Sequence, residues 1–116
     1  KIPLLLYGEV IKDEYKGKQI SRLGSQVDIA STLLHQLDIP SDGFLWSKNL
    51  FNPYTHEFAF YEAGEAVGWI SSVGYFVYRR NMDNYFEMEI TPEKEDQVIK
   101  EGKAYLQVLF QQYLDF

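Results

Sequence analysis

The sequence predicts a mixed α+β fold, in which a strand–loop–helix segment precedes an antiparallel sheet covered by a C-terminal helix. Three observations support this prediction. An apolar run at residues 2–7 and an amphipathic helical pattern that ends before Pro40 follow one another, which is typical of α/β proteins. Four short aromatic or β-branched segments then follow between residues 58 and 90. A second helical pattern begins after Thr91 and fills the rest of the chain.

The first element is the continuous apolar run Ile2–Tyr7, which is closed by Gly8. Such a run is typical of a strand that is buried on both faces inside a parallel sheet. Because a strand of this kind needs neighbours, two interpretations are open. The run either reflects a processed N-terminus or an edge strand, or it is an inner strand of a larger α/β protein of which this chain is a fragment.

The second element is a helix that Ser25 is predicted to open. Ser25 and Asp28 have the spacing of a capping box, with aspartate in place of the usual glutamate or glutamine. The residue before a proline avoids the helical region, so Pro40 predicts that the helix ends at Asp38–Ile39. The apolar stripe of this helix consists of Val27, Ala30, Leu33, Leu34 and Leu37.

An antiparallel meander of three or four strands is predicted next, because short β-prone segments alternate with turn residues. The segments are 58–62, 67–70, 75–78 and 85–90. In the last segment apolar residues alternate with Tyr or Glu, so we expect Phe86, Met88 and Ile90 on the buried face. The stretches 72–74 and 81–84 are the expected hairpin loops.

The last element is a helix with a strong start signal. Thr91 provides an N-cap, Pro92 stands at the first helical position and Glu93 places an acid in the first turn. Gly102 weakens the helix by about 1 kcal/mol relative to alanine. The apolar arc is wide, so we expect this helix to lie across the sheet. Its apolar residues are Val98, Ile99, Tyr105, Leu106, Leu109, Phe110, Tyr113 and Leu114.

Composition limits the classes of function. The length of 116 residues allows one domain, and the 9 Tyr, 8 Phe and 2 Trp argue against intrinsic disorder. The net charge of −6 disfavours a nucleic-acid partner or direct contact with an anionic membrane. The absence of cysteine excludes disulfides, cysteine zinc sites and a cysteine nucleophile within the chain. No apolar run is long enough to cross a bilayer, and no signal-peptide pattern opens the sequence.

The candidate metal ligands each have a simpler structural explanation. His35 and His56 do not form an HxH or HExxH pattern with another ligand. Asp28 has the chemistry of a carboxylate ligand, but helix capping already accounts for it. The acidic run 93–96 suits a helix N-terminus and lacks the pattern of a calcium loop.

The sequence also gives little support for catalytic or ligand-stacking roles. Glu62 and Glu65 have the composition of an acid–base pair, but no nucleophile is near them in sequence, which favours solvated acids at a strand end. The pair Ser71–Ser72 lacks a nucleophile-elbow motif. We therefore predict no catalytic, cofactor-binding or metal-binding residue in this chain. Four aromatic residues have rings that can stack on a ligand: Trp69, Tyr75, Phe76 and Tyr78. Aromatic residues in the hairpins of a small sheet more commonly form the core.

Four segments carry a resemblance to a known family. Residues 2–8 are IPLLLYG, residues 25–34 are SQVDIASTLL, residues 37–40 are LDIP and residues 47–51 are SKNLF. This series resembles the C-terminal part of the sulfatase family of the alkaline-phosphatase superfamily. Its usual motifs are xPLLIY, SQVDIAPTLLDLLGIP and G(K/R)(S/D)L(F/L).

The departures from these motifs fall at structural positions. Ser31 stands where proline is usual, Asp38 where glycine is usual, and Asn49 where serine or aspartate is usual. The later segments are similar to the tail of lipoteichoic-acid-synthase-like phosphoglycerol transferases. These segments are 58–70, 74–78 and 102–107.

The resemblance implies a fold, an enzyme and a location. It implies that residues 1–40 complete the α/β sandwich of a sulfatase-type catalytic domain and that residues 57–116 form a smaller sheet-plus-helix subdomain. Residues 41–56 would be the loop that connects the two. The family uses a threonine, serine or formylglycine nucleophile beside a divalent cation (Mn²⁺, Mg²⁺ or Ca²⁺). Those motifs would all precede Lys1. The parent enzyme would act outside the cytoplasm and be anchored to a membrane.

The expected role of the chain itself is therefore structural and non-catalytic. Its expected partner is the N-terminal catalytic domain of the same polypeptide. Without that domain the strand at residues 2–7 and the apolar helix at residues 98–116 lack their neighbours, so we also expect the fragment to self-associate. Two alternatives stay open: the C-terminal part of a true sulfuric-ester hydrolase, and a glycan- or protein-binding module that uses Trp69, Tyr75 and Tyr78.

Overall fold

A computed structural model describes residues 2–115, which form two compact units with a boundary between His56 and Glu57. In the described part, the first unit contains a 3₁₀ turn at Asp13–Tyr15 and the helix α1 at Asp28–Gln36, joined by turns and extended chain. The second unit contains a four-stranded sheet and a long helix. In residues 2–115, no helix is both long enough and apolar enough to cross a membrane.

The strand predicted at residues 2–7 is wrong. None of these residues belongs to a β-strand, and Ile2, Leu5 and Tyr7 are 91%, 88% and 96% exposed. An apolar run favours burial, but a strand also needs a neighbouring backbone to accept and donate its hydrogen bonds. The four strands of the structure pair only with one another in one sheet, so the run has no such neighbour among the described residues.

The start of α1 depends on the carboxylate of Asp28. Residues 25–27 form a turn in which the Asp28 N–H donates to the Ser25 carbonyl at 3.1 Å. In return, the Ser25 N–H donates to Asp28 Oδ2 at 2.7 Å. The acidic half of the predicted capping box is therefore formed, although the regular helix begins three residues later than Ser25.

The end of α1 is set by a residue in the left-handed conformation. Asp38 has φ = 54°, and the Ile39 N–H donates to the Leu34 carbonyl at 2.9 Å, which is the long-range bond of a Schellman motif. Glycine is the residue that adopts this conformation without steric cost. Asp38 stands where the motif described above has glycine, and the backbone at this position is in the left-handed conformation that ends the helix.

We expect an Asp38→Gly variant to be more stable than Asp38→Ala by about 1 kcal/mol, because only alanine keeps a Cβ in the left-handed region. Both substitutions remove the ion pair that Asp38 makes with Lys12, so their difference isolates the backbone effect. Chemical denaturation of the two variants measures it. Equal stabilities would show that Asp38 is not held in this conformation in solution.

The predicted antiparallel meander is confirmed. Each strand pairs with the next along the chain, in the order β1-β2-β3-β4, and residues 72–73 and 80–83 connect the last three. The predicted C-terminal helix is confirmed too, after a 3₁₀ turn at Pro92–Lys94. The elements are β1 (Phe58–Ala63), β2 (Ala66–Ser71), β3 (Gly74–Arg79), β4 (Asn84–Ile90) and α2 (Glu95–Leu114).

The core of the second unit lies where α2 crosses the sheet. Trp69 of β2 and Phe76 of β3 are direct cross-strand partners, and they pack against Val98 of α2; all three are at most 3% exposed. Gly102 lies one turn further along α2 and is buried. A Cβ at Gly102 would lie only 2.6 Å from Phe76 Cζ, so the glycine is what allows the helix to approach the sheet.

The buried face of β4 differs from the predicted alternation. A bulge between Val77 and Tyr78 pairs Tyr78 with Tyr85 and leaves Phe86 as the extra residue. The ring of Tyr85 contacts the ring of Phe76 edge to face, with centroids 5.5 Å apart. Phe86 is 61% exposed, so its predicted place in the core is wrong. A bulge reverses the face of every residue on one side of it, which regular alternation does not anticipate.

Candidate functional site

The carboxylate of Asp28 is a buried, densely hydrogen-bonded group of the first unit, and Asp28 is 1% exposed. Its Oδ1 accepts the Lys48 N–H at 3.0 Å, and its Oδ2 accepts the Lys48 ammonium at 2.6 Å as well as the Ser25 N–H. A buried carboxylate is stable only when it is paired and hydrogen-bonded, and here three donors satisfy it. Asp28 is therefore fully engaged by its own chain.

Two hydroxyl-bearing residues of α1, Ser31 and Thr32, also bind the segment at residues 47–50. The Ser31 N–H donates to Ser47 Oγ at 2.9 Å, and Ser31 Oγ donates to the Ser47 carbonyl at 2.9 Å. Thr32 Oγ1 donates to the Asp28 carbonyl at 2.6 Å and accepts the Leu50 N–H at 3.0 Å. We call the set Asp28, Ser31, Thr32, Ser47, Lys48 and Leu50 the α1 hub.

The α1 hub can hold residues 47–50 in place against α1, but it offers no reactive group. Ser31 and Thr32 are at most 2% exposed, and their side chains are bound to backbone groups of residues 47–50 or of α1 itself. Neither hydroxyl lies beside a general base, because the nearest carboxylate already binds an ammonium. These hydrogen bonds fix the loop at residues 47–50 against α1, which is a structural role.

The other metal-ligand candidates are not brought together. His35 and His56 are both exposed. Among residues 2–115 no group of three or more His, Cys, Asp or Glu side chains is arranged to hold a metal ion. The resemblance places the ligands of the divalent cation before Lys1, so it assigns no metal ligand to the described residues.

The two glutamates considered as an acid–base pair meet at Arg80 instead. The Arg80 guanidinium lies 2.7 Å from Glu62 Oε1 and 4.0 Å from Glu65 Oε2, and it donates to the Gly64 carbonyl at 2.7 Å. The Arg80 N–H also donates to the Glu65 carbonyl at 2.9 Å. These contacts fasten the β1–β2 turn to the segment after β3, which is a role in shape and not in proton transfer.

The aromatic candidates divide between core and surface. Trp69 and Phe76 are buried under α2, so neither is available to stack on a ligand. Tyr75 and Tyr78 are partly exposed, and each hydroxyl donates to a carboxylate: Tyr75 to Glu87 at 2.7 Å and Tyr78 to Asp83 at 2.6 Å. The hydrogen bond to Glu87 raises the pKa of Tyr75 to about 12, and the bond to Asp83 raises the pKa of Tyr78.

We expect alkaline titration to reveal the Tyr75–Glu87 bond. Because the pKa of Tyr75 is raised from 10.0 to about 12, its contribution to stability is complete below pH 10 and is lost as the pH rises towards 12. Tyrosinate absorbance should contain a component near pH 12 that is missing in Tyr75→Phe and shifted downward in Glu87→Gln. Tyr54→Phe, at a 93% exposed position, is the control and should retain it. Retention of the component in Tyr75→Phe would contradict the assignment.

Sequence reasoning missed the two basic residues that organise these sites. Lys48 is the partner of the buried Asp28, and Arg80 binds two glutamates and a carbonyl. A signal for Lys48 was present, because it occupies the Lys/Arg position of the motif at residues 47–51. No local pattern marks Arg80, whose partners lie on another turn of the sheet.

Comparison of the chain with protein-family models and curated proteins, and of its structure with solved structures, found no match.

Proposed function

We propose that this chain is the C-terminal part of a metal-dependent sulfatase-family enzyme, most similar to the lipoteichoic-acid-synthase-like phosphoglycerol transferases. Its own role is structural: the first unit completes the catalytic domain, and the second unit is a supporting sheet-plus-helix subdomain. The parent enzyme acts outside the cytoplasm on a phosphodiester substrate. The 116 residues alone are catalytically inactive.

The observation that carries the proposal is the contact between two motif segments. The resemblance was based separately on residues 25–34 and on residues 47–51, which are distant in sequence. In the structure Asp28 and Thr32 from the first segment bind Lys48 and Leu50 from the second. The aspartate of the first motif therefore pairs with the residue at the Lys/Arg position of the second motif. The threonine of the first motif accepts a hydrogen bond from a backbone N–H of the second.

The chemistry of the α1 hub agrees with a supporting role. The side chains of Asp28, Ser31 and Thr32 are buried and hydrogen-bonded to Lys48 or to backbone, as expected for groups that hold a loop at a defined place. A transferred phosphoryl group needs a nucleophile and a metal to stabilise developing charge. In this proposal both come from the part of the polypeptide that precedes residue 1.

The deciding experiment is to determine the coding sequence upstream of Lys1. We expect an α/β domain with an Asp-His pair shortly before IPLLLYG and a threonine nucleophile further upstream. A reading frame without these motifs would overturn the proposal. A cysteine or serine in a sulfatase signature would instead favour the true sulfatase.

A second test uses the chain as it is. The purified chain should show no turnover of phosphodiester or aryl sulfate substrates with Mn²⁺, Mg²⁺ or Ca²⁺, whereas the full polypeptide should show metal-dependent turnover. Metal-dependent turnover by the 116 residues alone would overturn the inactive assignment. The binding-module alternative loses one of its three stacking residues, because Trp69 is 3% exposed.

A further inference from the structure

The face of the sheet that points away from α2, here called the outer face, carries its own aromatic and charged side chains. Side chains alternate between the two faces of a strand, so the sequence neighbours of Trp69 and Phe76, which pack under α2, point to the outer face. The Arg79 guanidinium lies 4.0 Å from the centroid of the Phe86 ring, which places Phe86 on this face too. The residues of the outer face that matter here are Tyr61, Gly68, Tyr75, Val77, Arg79, Phe86, Glu87 and Glu89.

The ring of Tyr61 lies flat on the backbone of Gly68, its direct partner on β2. A Cβ at Gly68 would lie 1.9 Å from Tyr61 Cε1, 2.2 Å from Cζ and 2.6 Å from Cδ1. These distances describe a point above the face of the ring, because a point beyond its edge would be farther from Cζ and Cδ1. Gly68 is buried, whereas Tyr61 is 44% exposed. One face of the ring is therefore held against the sheet and the other is presented to solvent.

The charges on the outer face are of both signs. Glu87 and Glu89 are exposed on β4, and the Arg79 guanidinium lies on the same face. A cationic ligand would be attracted by the glutamates and repelled by Arg79, and an anionic ligand would meet the opposite pattern. The groups of a neutral polyhydroxyl ligand suit both signs, because a hydroxyl donates to a carboxylate and accepts from a guanidinium. The charge pattern therefore favours a neutral ligand rich in hydroxyl groups.

We propose that the outer face binds a neutral oligosaccharide, one sugar ring of which stacks on Tyr61. The face of an aromatic ring is negative, so it attracts the weakly positive C–H bonds on the flat side of a sugar with equatorial hydroxyls. Gly68, Val77 and Glu87 form one row across the sheet, which places Glu87 roughly 10 Å from the glycine beneath the ring. An oligosaccharide spans this distance and a single sugar does not. This inference does not depend on the proposed enzymatic parent.

Titration with cellotetraose, whose β-linked glucose units present flat C–H faces, tests the proposal by ¹H–¹⁵N NMR. We expect the amide signals around Tyr61, Gly68 and Val77 to shift with a dissociation constant of about 1 mM, since the site is shallow. Tyr61→Leu still covers Gly68 but has no aromatic face, so it should weaken binding about tenfold, whereas Tyr61→Phe should bind within about twofold of the unchanged chain. Tyr54→Leu, at a 93% exposed tyrosine of the first unit, is the control and should bind normally.

Gly68→Ala tests the geometry of the platform. Its methyl group would displace the Tyr61 ring from the sheet, so binding should weaken although the tyrosine is still present. The dispersion of the NMR signals shows whether each variant is folded, and the comparison of Tyr61→Leu with Tyr61→Phe decides the matter if Gly68→Ala does not fold. Four results would overturn the proposal: no shifts with cellotetraose, equal binding by Tyr61→Leu and Tyr61→Phe, unchanged binding by a folded Gly68→Ala, or stronger binding of tetralysine than of cellotetraose at the same amides.

Discussion

Gly102→Ala is expected to destabilise the second unit by about 1–2 kcal/mol, although alanine is the better helix former by about 1 kcal/mol. The new methyl group would lie 2.6 and 2.9 Å from two atoms of the Phe76 ring and 2.9 Å from Trp69 Cγ. Both rings are nearly fully buried, so neither can move away without opening the core. Urea unfolding followed by Trp69 fluorescence, in a Trp46→Phe background, measures the change.

The sign of this effect distinguishes packing from propensity. Ala104→Gly is the matched control on the same helix, where residue 104 is exposed, and it should cost about 1 kcal/mol through propensity alone. Gly102→Val should destabilise more than Gly102→Ala. A stabilised Gly102→Ala would mean that α2 does not approach the sheet as closely in solution.

Asp28→Ala is expected to destabilise the first unit by about 3–5 kcal/mol, which is the effect of breaking a buried, hydrogen-bonded ion pair. The substitution leaves the Lys48 ammonium, the Lys48 N–H and the Ser25 N–H without their shared acceptor. Protection of the α1 amides against hydrogen exchange should fall, while protection of α2 serves as an internal reference. A small domain has little stability in reserve, so α1 should unfold.

Asp13→Ala is the control for the loss of one negative charge. Asp13 pairs with Lys16 on the surface, and its side chain is 93% exposed. Water and salt screen such a pair, so no measurable change in α1 protection is expected. Similar protection in Asp28→Ala and Asp13→Ala would show that the α1 hub contributes nothing to the fold, and it would remove the main support for the proposed function.

Local signals in the sequence predict the elements whose stabilising partners are near in sequence. The meander follows from short β-prone segments separated by turns, since consecutive antiparallel strands need only a tight connection. Thr91, Pro92 and Glu93 predict that a helix follows, but they form a 3₁₀ turn ahead of α2, which begins at Glu95, and Thr91 makes no side-chain capping hydrogen bond. For α1, Asp28 and Pro40 place the two ends to within a few residues.

The candidate sites were less predictable, because their partners are distant in sequence. Asp28 was explained by capping alone, and its pairing with Lys48 across 20 residues has no local signature. Glu62 and Glu65 resembled a pair, but the group that unites them is Arg80. Spacing shows which residues share a face of one element, whereas it does not show which elements meet.

By itself the sequence determined the antiparallel sheet, the two helices and the lack of any cysteine chemistry, since each depends on local periodicity, caps or composition. The tertiary structure alone decided that residues 2–7 form no strand, because strand formation needs a neighbour that the sequence pattern does not provide. It also decided the exposure of Phe86, through a bulge, and the value of Gly102, which weakens a helix locally but permits its contact with the core.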